Sequence, residues 1–235
     1  MKDICAVVLC GGMGTRLRSE IGEEQKVMVS FEGRPFLDYI LEQIVEQGVH
    51  KVVLCAGYKS ESVKNIVKRY PDVDIVISIE NEPLGTGGAI KNAETLISSD
   101  KFFVFNGDSF CKIDLKNFFE FHLSKDSLVS MAVAKVEDSK DYGRIILDPD
   151  QSVVSFEEKN QRASSPYVNA GVYCFSKEVL DVMPQGHFSL EKDLFPRLTG
   201  MHTRGFILEK SFLDIGTPQR FKKAKELIER QGRFD

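Results

Sequence analysis

Apolar residues follow two alternating rhythms through the first half of the chain. Runs of strand length at 4–9, 52–55, 75–79 and 102–105 are separated by helix-period stretches at 36–45, 63–70 and 89–97. In the stretch 36–45, Phe36, Leu37, Ile40, Leu41, Ile44 and Val45 share one helical face at i, i+3, i+4 spacing. Pro35 suits its first position and Gly48 its stop. Strands alternating with helices predict βαβ units and a mostly parallel sheet.

Beyond residue 125 the rhythm changes. Strand-like runs at 128–136, 144–147, 153–156 and 168–175 have only short helical stretches between them, and a helix over 218–230 closes the chain. These strands are expected to form a small β-rich extension over one end of the first half. No linker rich in Pro, Gly or Ser, no repeat and no low-complexity tract separates the halves, so one domain over 1–235 is expected. In open α/β sheets ligands sit beyond the carboxyl ends of the strands, which directs attention to the residues just after each strand.

Composition narrows the possibilities. With 235 residues, 42% of them apolar, the chain can bury roughly 70% of its unfolded surface without a disulfide or structural metal. The odd set Cys5, Cys10, Cys55, Cys111 and Cys174 has no C-x-x-C and falls mostly in apolar runs, reading as small buried hydrophobes. The four histidines are scattered, with no metal-ligand spacing. A net charge of −4 gives no general attraction to polyanions, so nucleic acid is not an expected partner. The N-terminus has one lysine and a short apolar run that meets glycines, neither a signal peptide nor a membrane span. A cytoplasmic protein with no membrane partner is expected.

Local cations and backbone N–H groups can still bind a phosphate-bearing small molecule. The first strand ends in LCGGMGTRL, residues 9–17, where Gly11, Gly12 and Gly14 let backbone N–H groups approach an anion and Arg16 supplies a forked cation. The loop fits neither the dinucleotide pattern, which needs a glycine at Leu17, nor the P-loop. Lys26, ahead of an apolar stretch, is either a surface lysine or a point charge returned to the same phosphates. Asp108 and Asp214 each follow a strand. Two such carboxylates can converge on Mg²⁺, although each alone also reads as a turn residue or helix cap. FEEK, residues 156–159, reads as a charged hairpin turn or as a carboxylate and a cation facing a phosphorylated sugar.

Taken together, LCGGMGTRL with Lys26, EPLGTGGAI at 82–90, FNGD at 105–108, YGRI at 142–145, FEEK, VNAGVY at 168–173 and LDIGTP at 213–218 resemble the sugar-1-phosphate nucleotidyltransferases over nearly the whole chain. LGTGGAI, NGDSF and the length are most similar to the D-glycero-α-D-manno-heptose 1-phosphate guanylyltransferase branch. Two positions depart from the family pattern: Gln25 replaces the proline before the lysine, and Asn160 the proline after FEEK. Loss of the first proline is expected to loosen the loop without removing the charge.

The resemblance implies a Rossmann-like three-layer α/β/α fold with a central mostly parallel mixed sheet, a nucleotide-binding half to about residue 125 and a sugar-phosphate-binding half beyond it. It implies transfer of GMP from GTP to a heptose 1-phosphate, giving a GDP-sugar for capsule or lipopolysaccharide synthesis, with Mg²⁺ as cofactor and a homodimer as a possible assembly. Leu9, Gly11, Gly12, Gly14, Thr15, Arg16, Glu80, Gly85, Thr86 and Gly87 would hold the nucleotide. Lys26 would neutralise the α-phosphate, Lys159 the sugar phosphate, and Asp108 and Asp214 the metal. Gly143, Glu158 and Asn169 would contact sugar hydroxyls. Glu80 can accept two hydrogen bonds from the N1–H and N2–H₂ edge of guanine, against one from a pyrimidine. Mannose 1-phosphate or another nucleotide remains an alternative. Two readings come from other classes: a metal-dependent glycosyltransferase, which does not explain Gly11 to Arg16, and a non-catalytic nucleotide-sensing subunit, which would be expected to lose a metal carboxylate or a loop cation, whereas all are present.

Overall fold

A computed structural model describes all residues except 13, 58–59, 137–141, 159–164, 210–211 and 232–235. Its strands are β1 (Cys5–Leu9), β2 (Ser30–Phe31), β3 (Arg34–Pro35), β4 (Lys51–Ala56), β5 (Asp74–Ile79), β6 (Lys101–Asn106) and β7 (Ser109–Cys111), then β8 (Val129–Lys135), β9 (Gly143–Leu147), β10 (Val153–Glu158), β11 (Tyr167–Ser176), β12 (Thr203–Ile207) and β13 (Phe212–Asp214). The α-helices are α1 (Arg18–Ile21), α2 (Phe36–Glu46), α3 (Ser60–Val67), α4 (Gly85–Asn92), α5 (Leu115–Ser124), α6 (Phe195–Leu198) and α7 (Pro218–Gln231).

Most of the strands belong to a single mixed sheet. β1 lies between β4 and β6, and β5 beyond β4, all in parallel. β11 then pairs antiparallel with β6, β8 and β9, while β12 adds to β8 in parallel and β10 to β9 in antiparallel. The extension expected after residue 125 is therefore continuous with the central sheet and joined to it through β11.

The near-continuous apolar runs of β1, β4 and β6 suit strands covered on both faces. Alternate residues feed two separate cores. Ala6, Val8, Leu54, Phe103 and Phe105 pack with α2, α5 and α7, whereas Cys5, Val7, Val53, Phe102 and Val104 pack with α4 and the 188–198 segment. All five cysteines are free and buried, as their apolar surroundings predict. Among the described residues no helix is long and apolar enough to cross a membrane.

The structure differs locally from the periodicity at four places, the first of which has a clear physical cause. The helix expected over 89–97 starts earlier, at Gly85, and ends at Asn92, with a 3₁₀ turn over Glu94–Leu96. Its first N–H groups, which have no partner inside the helix, donate from Gly87 and Gly88 to the Phe188 carbonyl at 3.0 and 3.3 Å. That partner lies 100 residues away and leaves no periodic trace. The helix expected over 63–70 runs instead from Ser60 to Val67, and Pro35 caps α2 rather than entering it. Lys26 begins a 3₁₀ turn, Lys26–Met28, before the short strand β2.

Candidate functional site

A cleft of about 770 Å³ opens at the carboxyl ends of β1, β5 and β6. Of the residues singled out in the sequence, Leu9, Gly11, Gly12, Arg16, Lys26, Glu80, Gly85, Thr86, Asp108, Gly143, Asn169 and Asp214 line it. A space of this size fits a nucleotide-scale ligand.

The loop after β1 is anchored at both ends. The Cys10 N–H donates to Cys55 O at 2.7 Å, and Leu17 is fully buried. Gly14 takes the left-handed conformation, φ 61°, that starts the 3₁₀ turn Thr15–Leu17. It packs toward the Lys26 Cβ and the end of Ile21, so its service to the cleft is to bring Lys26 close, and it does not line the cleft itself. Only the backbone of Thr15 is described.

Gln25 overturns the expectation of a looser loop. Its φ of −70° is one that proline would also adopt. Its buried side chain donates from Nε2 to Cys10 O at 2.6 Å and accepts from the Ser62 hydroxyl at 2.9 Å. Two hydrogen bonds thus replace the covalent constraint of a proline.

Two carboxylates and two cations meet on one side of the cleft. β13 pairs antiparallel with β7, setting Asp214 opposite Ser109, and the Ile215 N–H donates to Asp108 O at 3.0 Å. This pairing brings together two residues that stand more than 100 positions apart. Lys26 Nζ forms an ion pair with Asp108 Oδ2. Burial would raise the Asp108 carboxyl, but Lys26, the Ser109 hydroxyl and Arg16 together hold it below the ordinary aspartate range. Asp214 does not cap α7. Its Oδ1 accepts from the Gly216 N–H at 2.8 Å, and Arg220 Nη1 reaches Oδ1 and Oδ2 at 3.1 and 3.0 Å. Thr217 does the capping, its hydroxyl accepting from the Arg220 N–H at 3.4 Å.

The opposite wall is built from 80–86 and 187–192. Glu80 Oε2 accepts from the Leu84 N–H at 3.0 Å, which folds the intervening loop. Burial pushes the Glu80 carboxyl up, an effect the Leu84 N–H partly offsets. The Thr86 hydroxyl donates to Glu191 Oε2 at 2.7 Å and accepts from the Leu190 N–H at 2.8 Å, so its donor is already used within the protein. Gly87 does not face the cleft: a Cβ there would lie 2.1 Å from the Phe188 ring, and this glycine permits close packing of α4 on the 186–188 segment.

At the far end, Gly143 opens β9 and sits opposite Glu158 in the β9–β10 ladder. Only the backbone of Glu158 is described, and Lys159 lies outside the described residues. Asn169 stands at an irregularity of β11, where Gly171 adopts φ 76°. Its amide donates to the Tyr173 hydroxyl at 2.7 Å and accepts from the Gly171 N–H at 3.0 Å, fixing the group's orientation at the cleft.

Several lining residues are not among the site residues singled out in the sequence. Asn106, His187, Ser189, Glu191, Lys192 and Arg220 all reach the cleft. For His187, Ser189, Glu191 and Lys192 the available cue is their alternation with the buried Phe188 and Leu190. For Arg220 it is proximity to LDIGTP.

The model of the nucleotidyl transferase family matches residues 5–231 of this chain, and the chain belongs to that family. It is 35% identical over 227 residues to a D-glycero-α-D-manno-heptose 1-phosphate guanylyltransferase of Aneurinibacillus thermoaerophilus, covering 95% of this chain and 98% of the relative. A Campylobacter jejuni protein of the same description is 36% identical, with 92% and 96% covered. The crystal structure of HddC from Yersinia pseudotuberculosis complexed with GMP-PN superposes with a TM-score of 0.84 at 39% identity, covering 96% of this chain and 99% of that one.

Proposed function

We propose that this protein transfers GMP from GTP to D-glycero-α-D-manno-heptose 1-phosphate, releasing pyrophosphate and GDP-heptose. The observation that carries the reading is the gathering of Arg16, Lys26, Asp108 and Asp214 in one cleft, in a chain similar over almost its full length to heptose 1-phosphate guanylyltransferases. A reaction that consumes GTP fits a cytoplasmic protein.

An oxygen of the sugar phosphate attacks the α-phosphorus of GTP, and the bond from that phosphorus to the bridging oxygen of pyrophosphate breaks. The nucleophile is already an anion, so no strong base or covalent enzyme intermediate is required. Catalysis consists of aligning two anions that repel and stabilising the charge that develops. Gly11, Gly12 and Arg16 take the triphosphate, with Arg16 on the departing pyrophosphate. Lys26 neutralises the α-phosphate, and Lys159 holds the sugar phosphate. Gly143, Glu158 and Asn169 face the sugar hydroxyls, and Glu80 reads the guanine edge.

The residues present fit Mg²⁺. Asp108 and Asp214 are the hard oxygen donors that this ion accepts alongside substrate phosphates. A Cβ at Gly216 would lie 2.8 Å from Asp214 Oδ1 and 3.7 Å from Lys26 Nζ, so the glycine keeps open the space between the carboxylate and the cation. When bound, the ion supplies Lewis-acid stabilisation of phosphate charge.

The test is a matrix of GTP, ATP, UTP, CTP and dTTP against heptose, mannose and glucose 1-phosphates, scored by pyrophosphate release. GTP with the heptose phosphate is expected to give the highest kcat/KM. No pyrophosphate from any pair overturns the reaction class, and a higher kcat/KM for another pair overturns the substrate assignment.

A further inference from the structure

Each of the two carboxylates proposed to hold Mg²⁺ already carries a cation of the protein. Lys26 on Asp108 has an evident second partner in the α-phosphate. Arg220 on Asp214 is given no role by the reaction. Its guanidinium lies with Cζ 3.7 Å from the Tyr142 ring centroid, and Tyr142 in turn packs edge-on against Phe212 at 5.2 Å. The side chains of Arg220 and Asp214 are 19% and 10% exposed, which makes this a pair largely removed from water. A planar, weakly hydrated guanidinium suits such a site better than an ammonium.

The hydrogen bonds decide what remains for a metal. A carboxylate oxygen offers two lone pairs. Asp214 Oδ1 accepts from both the Gly216 N–H and Arg220, while Oδ2 accepts from Arg220. A divalent cation must therefore either approach Oδ2 next to a fixed positive charge or displace the guanidinium. Both cost free energy, and the cost is greater in a shielded site than in water. A nucleoside triphosphate removes that obstacle, because its phosphates offset the charge of Arg220 and bring further oxygen ligands.

We propose that Arg220 is a positioning residue that acts through Asp214 as a built-in counter-cation, so that the divalent ion is held tightly only together with the nucleotide. The proposal rests on Asp214 being a metal ligand. It makes metal and nucleotide binding mutually dependent, and by linkage each must strengthen the other by the same factor.

The experiment measures Mn²⁺ affinity of the whole protein by electron paramagnetic resonance, with and without a non-hydrolysable GTP analogue. Mn²⁺ is expected to bind the wild-type protein at least tenfold more tightly with the analogue than the protein and the analogue each bind it separately. Arg220→Gln is expected to tighten Mn²⁺ binding without nucleotide on the order of tenfold and to shrink the coupling. Arg220→Lys, which keeps the charge, is expected to stay near wild type. Unchanged or weaker Mn²⁺ binding in folded Arg220→Gln overturns the proposal. So does an absence of coupling in the wild-type protein, a result that needs no variant. Asp214→Asn separates the two levels: if it leaves Mn²⁺ affinity unchanged with the analogue bound, the assignment of Asp214 as a ligand fails and the role of Arg220 falls with it.

Discussion

The Gln25 amide donates to the Cys10 carbonyl at 2.6 Å, tying the residue before Lys26 to the first residue after β1. Gln25→Ala leaves that carbonyl and the Ser62 hydroxyl without this partner. The expected loss is about 1–3 kcal/mol of stability, together with a raised KM for GTP as Lys26 loses its support. Gln25→Pro restores the backbone constraint but neither hydrogen bond, so it is expected to fall between alanine and wild type. Urea unfolding of the three proteins checks this. Equal midpoints would show that the amide contributes nothing.

Asp108→Asn and Asp214→Asn are each expected to remove most turnover, by about 100-fold or more, since each replaces a carboxylate proposed to hold the metal with a neutral amide. Thermal melts are expected to show both proteins folded. Near wild-type turnover of either variant at saturating Mg²⁺ excludes that carboxylate from the metal.

Glu80→Gln bears on base choice. An amide presents an N–H₂ donor to the donor-rich guanine edge and leaves one guanine donor unpaired, at about 1–3 kcal/mol. That corresponds to roughly tenfold to a hundredfold in kcat/KM for GTP. UTP presents acceptors that the amide can serve and is expected to lose less. A GTP-to-UTP ratio unchanged by the substitution would show that Glu80 does not select the base.

His122 makes stability depend on pH. It is almost fully buried, with Nδ1 2.9 Å from the Ser130 hydroxyl and Nε2 3.1 Å from that of Ser176. Ser176 donates its proton to Ser127 O at 2.8 Å, so it accepts from Nε2–H, and Ser130 donates to Nδ1. Burial first, and then Lys101, depress the imidazole to about 4 against the opposing influence of Glu178 and Asp126. The folded protein therefore holds His122 neutral while the unfolded chain takes up a proton below about 6.5. The stabilisation is complete above that pH and is lost as pH falls toward 4, by about 3 kcal/mol in all. Urea unfolding at pH 7.5, 5.5 and 4.5 should show a shallower fall for His122→Gln than for wild type. Parallel curves would rule out this group as a source of the pH dependence.

Much of the fold is legible in the sequence because β1, β4, β6 and α2 each bury what their period exposes to the core. The start of α4 is not, since the carbonyl that satisfies its first N–H groups belongs to Phe188. The site divides in the same way. Arg16, Lys26 and Asp108 sit in motifs with their own chemical logic. Glu191 gains its place only when the chain folds back onto Thr86, Arg220 stands six residues beyond Asp214 outside any motif, and Gln25 looks like a defect until its two hydrogen bonds are seen. Gly87 also answers to a packing demand from Phe188 that the sequence does not show.

The pairing of β11 with β6 carries a practical consequence for anyone dividing this protein. The run Phe102–Phe105 is apolar and buried, and Val172 to Phe175 supply its antiparallel neighbours. A fragment ending near residue 125 would leave one side of β6 without its neighbour along the apolar run Phe102–Phe105, the kind of edge on which chains stack into insoluble aggregates. The half up to residue 125 is therefore a poor choice for separate expression, however self-contained its motifs look. Soluble production depends on synthesis reaching β11.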